Sequence, residues 1–164
     1  MNAASVNTPI KRSRIKDHAI NFGLAAAMVG LLQLLTGNQS DYKTPQLAII
    51  VHLTTVIPAL LLGAWVLWRP KGTSVHRLTG RIWAALMLVT AIDSFWIRTL
   101  TGGISFIHWL SAVTLVSIPF AMWHARHGRI DAHLSSMRTA YISLCVAGLF
   151  AMMPGRIMGT LIFG

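Results

Sequence analysis

Two short stretches have the residue types and spacing to hold a metal: "HRLTGR" at 76–81 and "HLSSMR" at 133–138. Each sets a histidine five residues ahead of an arginine, where a charged loop gives way to a long apolar run. Neutral imidazole keeps one nitrogen lone pair free, which suits it to ligate iron and similar metals. His52 and His108 each lie a few residues inside other apolar runs. His52 to His108 spans 56 residues, His76 to His133 spans 57, Arg81 to Arg138 spans 57 and Trp68 to Trp123 spans 55. This self-similarity reads as two copies of one helical hairpin.

The elements that must position these groups are membrane helices. Of 164 residues, 54% are hydrophobic and 11% charged, against about 25% charged in a soluble domain. The net charge of +10 does not indicate nucleic acid, because the basic residues sit in gaps between apolar runs rather than on a polar face. There is no glutamate, and the acids are Asp17, Asp41, Asp93 and Asp131. The lone Cys145 reads as a small apolar core side chain. A span needs about 20 mostly apolar residues. Five segments meet that length, near 17–36, 46–68, 76–98, 103–124 and 133–153, separated by turn chemistry such as "RPKGTS" and "HARHGRIDA". Ala19 to Leu35 is long for a signal sequence and lacks a small-x-small cleavage site, so it reads as a retained first helix. The tail "IMGTLIFG" is too short to span again and is expected in the outer interface. The expected fold is all-α: one polytopic domain over 1–164, with helices 2–5 as a four-helix core built from the duplicated hairpin.

Lysine and arginine set the expected orientation. With the N-terminus inside, eleven basic residues fall on the inner side and only Lys43, Arg98 and Arg156 outside, which favours N-in, C-out. Trp65, Trp68, Trp83 and Trp123 then fall near the inner border, and Trp96 and Trp109 near the outer one, as an aromatic belt.

In that frame His52 and His108 share a depth near the outer face, and His76 and His133 share one at the inner face. His18, His124 and His127 read as ordinary interfacial residues. A duplication with its axis along the membrane normal brings each matched pair together. Facing histidines can supply both axial ligands of a haem iron, and helix bundles build cofactor sites from side chains on facing helices. The 16 residues from His52 to Trp68 rise about 24 Å, room for two stacked haems. Gly80 removes a side chain where a macrocycle would lie. Arg81 and Arg138 are placed for haem propionates or lipid phosphates, and Arg98 and Arg156 for the same role outside. Tyr141, two turns after His133, could line the inner site. Met137 could pack against a cofactor or simply fill the core. Asp93 is expected to pair with Arg98 or to exchange protons with a quinone.

The stretch "KGTSVHRLTGRIWAALMLVTAIDSFWI" (71–97), with the later His133, Met137 and Tyr141, resembles the bacterial membrane family known as domain of unknown function 2306 over roughly 45–153. The resemblance implies a bacterial inner (plasma) membrane and brings no established activity. The paired-histidine plan is also similar in arrangement to the dihaem cytochrome b-561 proteins, which implies transfer of electrons between a small donor such as quinol or superoxide and an acceptor. Two readings stay open. One is a b-type cytochrome with up to two haems, His52/His108 outside and His76/His133 inside, acting with lipid, a small redox partner, and a partner redox protein or second copy. The other is a non-haem small transporter or structural subunit of a larger complex. No catalytic triad, phosphate loop or zinc spacing is present in the sequence.

Overall fold

The structure, a computed structural model, describes residues 19–29, 44–98 and 104–153. Every regular element among them is helical: α1 (Ala19–Val29), α2 (Gln46–Trp68), α3 (Ser74–Asp93, continued by a 3-10 turn at Ser94–Trp96), α4 (Phe106–Arg126) and α5 (Ile130–Ala151). The last four are long and apolar enough to cross a membrane. The far half of the expected first span, the basic segment before Ala19 with His18, and the tail with Arg156 all lie outside the described residues.

Short described turns join α2 to α3 and α4 to α5, so each of these pairs runs antiparallel. Among the described residues α2 packs on α3, α3 on α4, α4 on α5 and, through the thinnest contact, α5 on α2. α3 and α5 are therefore diagonal partners, as are α2 and α4. Small residues make this closeness feasible. Ala59, Ala84, Ala121 and Ala140 are buried between helices, where small side chains let backbones approach without hydrophobic drive from water. Large apolar side chains point outward instead, among them Leu47, Leu61, Ile82, Ile142 and Leu149, giving the bundle a surface suited to lipid. α1 lies outside the four, with Ala25 and Val29 against Ala112 and Val113 of α4.

Helix ends depart from the sequence-based bounds for local reasons. α3 begins at Ser74, before His76, because the Thr73 hydroxyl accepts the His76 N–H at 3.1 Å, an N-cap contact. Gly72, at φ +83°, supplies the left-handed step that turns the chain out of α2. α4 runs on to Arg126, and Gly128, at φ +70°, reverses the chain so tightly that α5 starts at Ile130. His133 thus sits on the first turn of α5, not at its first residue. Asp131 occupies that same turn, where a carboxylate complements the helix dipole.

Trp83 is a correction to the expected aromatic belt. It is 1% exposed, and its indole N–H donates to the Ala59 carbonyl at 2.9 Å. Trp68 and Trp123 are both exposed, at or near the ends of α2 and α4. Near them the guanidinium groups of Arg69 and Arg129 stack on Trp65 and Trp123 at 4.6 and 5.9 Å.

Candidate functional site

The four histidines singled out by spacing fall at two ends of the bundle. The basic end carries Arg69, Lys71, Arg77, Arg81 and Arg138 together with His76 and His133. There the His133 Nδ1 lies 2.9 Å from the Ala121 carbonyl of α4. His76 faces the equivalent group of the other hairpin, the Val66 carbonyl of α2, more loosely and without a full hydrogen bond at Nδ1. Val66 and Ala121 are 55 residues apart, so the duplication sets equivalent carbonyls near the two rings, and only His133 bonds its own. A carbonyl can only accept, so Nδ1 of His133 carries a proton, and in the neutral ring Nε2 then keeps its lone pair. This is the tautomer a histidine adopts to bind a metal through Nε2. His76 and His133 are on diagonal helices and close enough for their charges to interact. Arg81 and Arg138 follow them, both exposed. A Cβ added to Gly80 would meet nothing nearer than Val66 Cγ1 at 4.0 Å. Gly80 therefore leaves space beside the site rather than enabling a tight approach.

The opposite end does not mirror this. His52 lines a cavity among α2, α3, α4 and α5 that His108 does not line. His52 Nδ1 is 3.6 Å from Asp93 Oδ2, a partner not anticipated for the acid, while Arg98 Nε donates to the Phe95 carbonyl at 3.1 Å. His108 is 2% exposed and turned toward the end of α3, its ring 5.6 Å from that of Phe95. Its Nδ1 accepts the Ser105 N–H at 2.9 Å, which is half of a capping box at the start of α4. In the neutral ring that bond fixes the proton on Nε2, which is buried and has no hydrogen-bond partner among the described residues. A neutral His108 so held has no lone pair left for iron. The expected His52/His108 ligand pair is thus not brought together: one histidine faces a cavity and the other caps a helix.

The capping role has a measurable consequence. Replacing His108 with leucine is expected to cost about 1 kcal/mol, while glutamine, the usual capping-box residue, restores most of it. Thermal melting of the two variants in one detergent checks the order, and equal melting would remove the cap from the account.

Tyr141 is not at the basic site. Its hydroxyl donates to the Leu60 carbonyl at 3.3 Å and its ring lies 6.2 Å from that of Trp83, so it ties α5 to α2. Met137 is a buried core residue. His124, read from sequence as interfacial, is 2% exposed between the rings of Phe120 and Trp123. Helical spacing pointed to this, since Ser117, Ala121 and His124 share one face of α4 and are all buried. Among the described residues no three side chains of His, Cys, Asp or Glu converge on a metal position. A protein-only site with three or four such ligands is not formed by these residues, whereas an axial pair needs only two.

A family profile described as "Predicted membrane protein (DUF2306)" matches residues 49–162, which take in both hairpins and all four histidines. The chain belongs to the DUF2306 family. Comparison with curated proteins and with solved structures returns no match. Membership in DUF2306 agrees with the four apolar helices and makes the protein an integral membrane protein in contact with lipid. The DUF2306 match carries no reaction, so function is argued from the histidines.

Proposed function

We propose that this DUF2306 protein is a membrane redox protein of the b-cytochrome type, binding one haem at the basic end through His76 and His133. The observation that carries the reading is the His133 Nδ1 held 2.9 Å from the Ala121 carbonyl, with His76 on the diagonal helix near enough for the two rings to interact. In His133 this holds Nε2 unprotonated for a ligand. The donor set fits the group: two imidazoles on diagonal helices, with Arg81 and Arg138 at the same border to neutralise propionates. Haem, when bound, supplies one-electron transfer. The chain's own residues fix the tautomer, orient the rings and offset the charge. His52 and His108 have no part in this reading, which reduces the two sites expected from spacing to one.

The test is an absorption spectrum of detergent-purified protein expressed with ample haem, oxidised and then dithionite-reduced, with the haem quantified as pyridine haemochrome. The expected result is sharp reduced bands and about one haem per chain, as bis-histidine ligation gives. Alanine at His76 or at His133 removes the haem, and leucine at His52 leaves it. A colourless wild-type protein, or haem retained in both alanine variants, would sink the proposal.

A further inference from the structure

The half of the bundle away from the basic end holds a cavity of about 240 Å³, which the haem reading does not use. Its walls are mainly aliphatic, from Leu53, Val56, Ile57, Leu110 and Leu144. Several hydroxyls reach it, but their protons are already spent. Thr90 donates to Thr55 Oγ1 at 2.9 Å, Ser94 to Ser111 Oγ at 2.7 Å, and Thr114 to the Leu110 carbonyl at 3.0 Å.

His52 and Asp93 differ. The ring of His52 lines the cavity, with the Asp93 carboxylate 3.6 Å behind it, too far for a hydrogen bond. Among the described residues neither His52 Nδ1 nor Asp93 Oδ2 has a hydrogen-bond partner, and both atoms are buried. Buried polar atoms are rarely left unsatisfied, and each exception asks for a reason. Asp93 does not line the cavity, so His52, backed by that carboxylate, is the ionisable side chain in a mostly apolar wall, as a site for a mostly apolar molecule with a polar head has.

We propose that this cavity binds a small neutral ring compound bearing hydroxyl or carbonyl oxygens, of the phenol and quinone class, with an oxygen hydrogen-bonded to His52 and Asp93 positioning that ring. The ligand is neutral because the lining holds no lysine, arginine or carboxylate to pair with an ion. A charged ligand would enter the apolar walls uncompensated. The ring is matched by the aliphatic walls and by the modest volume. The cavity is lined by α2 and α5 together, and these two helices make the thinnest contact of the bundle, so their seam is the side from which a ligand dissolved in the bilayer would enter. The site is independent of the haem reading and stands or falls by itself.

The experiment uses the full chain in lipid nanodiscs and measures scintillation-proximity binding of a tritiated short-alkyl 1,4-benzoquinone. Competition compares the unlabelled quinone with the dialkylbenzene of the same shape lacking oxygens. The expected result is saturable binding, with the quinone competing at least tenfold better than the hydrocarbon. His52→Leu should bring that preference close to unity. Gly148→Leu should remove binding without touching the polar pair, because Gly148 lines the cavity and a Cβ there meets nothing within 4 Å. Absence of saturable binding, equal competition by the hydrocarbon, or a preference kept in His52→Leu would each overturn the proposal.

Discussion

Replacing Gly63 with alanine is expected to destabilise the bundle by about 2 kcal/mol, and leucine there by more than about 3 kcal/mol. A Cβ at this position would stand 2.5 Å from Trp83 Nε1 and 2.7 and 2.8 Å from two ring carbons of Tyr141. Real contacts of a Cβ do not come that close, so something must move. Neither ring can yield cheaply. The indole is held by its bond to the Ala59 carbonyl and the phenol by its bond to the Leu60 carbonyl. Backing off breaks one of these or prises α2 away from α5, already the thinnest contact in the bundle. Alanine is the better helix former by about 1 kcal/mol, which offsets part of the overpacking but not all of it. The measurement is unfolding in mixed micelles titrated with a denaturing detergent. Gly148→Ala is the control, since a Cβ there meets nothing within 4 Å and only the propensity gain remains. Equal stability of the two variants would mean that the rings of Trp83 and Tyr141 do not close on α2 as described.

That glycine marks where the sequence stops being readable. Span α2 (Gln46–Trp68) coincides with the segment expected from hydropathy, and the hairpin repeat shows in spacing because both hairpins turn in charged, glycine-bearing loops. Those features are local or periodic. Which face of each helix meets which neighbour is neither, in a chain where interior and lipid-facing residues are both apolar. Depth alone puts Trp83 in the belt, and depth does not tell a face turned to lipid from one turned to Gly63. His52 and His108 are paired by sequence spacing, yet their rings serve different surroundings, a cavity and a helix cap. The box formed by Ser105 and His108 departs from the usual pattern, with histidine where glutamate or glutamine is the common partner. A search for ligands therefore reads it as a ligand. At the basic end the His133 contact is with the backbone of its own hairpin, at Ala121, and no residue type in the sequence marks a backbone acceptor.

Trp83→Ala is expected to cost about 3 kcal/mol, the lower end of the range for a buried tryptophan. In a membrane the unfolded side chain stays in an apolar solvent, so the transfer share largely drops out and the void left behind sets the cost. The position explains why the void would persist. Trp83 lies 57 residues before Ala140, and Gly63 lies 55 before Ile118. Where the duplication would set like against like, the core sets large against small: tryptophan on α3 answers alanine on α5, and isoleucine on α4 answers glycine on α2. All but Gly63 are at most 1% exposed. The indole fills the space that the small members vacate, and removing it leaves Gly63, Ala59 and Ala140 with nothing to close the gap. Trp83→Phe keeps most of the volume but loses the donor to Ala59. It should cost about 1 kcal/mol, the net worth of one hydrogen bond. Trp83 is also two turns after His76 on the same face of α3, so the void would open directly beneath the histidine pair. The alanine variant should therefore weaken cofactor retention along with stability, whereas phenylalanine should spare it. Unfolding titrations give the first ordering, and fluorescence quenching by brominated lipid gives an independent check. A buried Trp83 contributes emission that the lipid does not quench, so the unquenched fraction should fall in Trp83→Phe. If it does not fall, and Trp83→Ala costs under about 1 kcal/mol, the indole faces lipid and the asymmetric core is wrong.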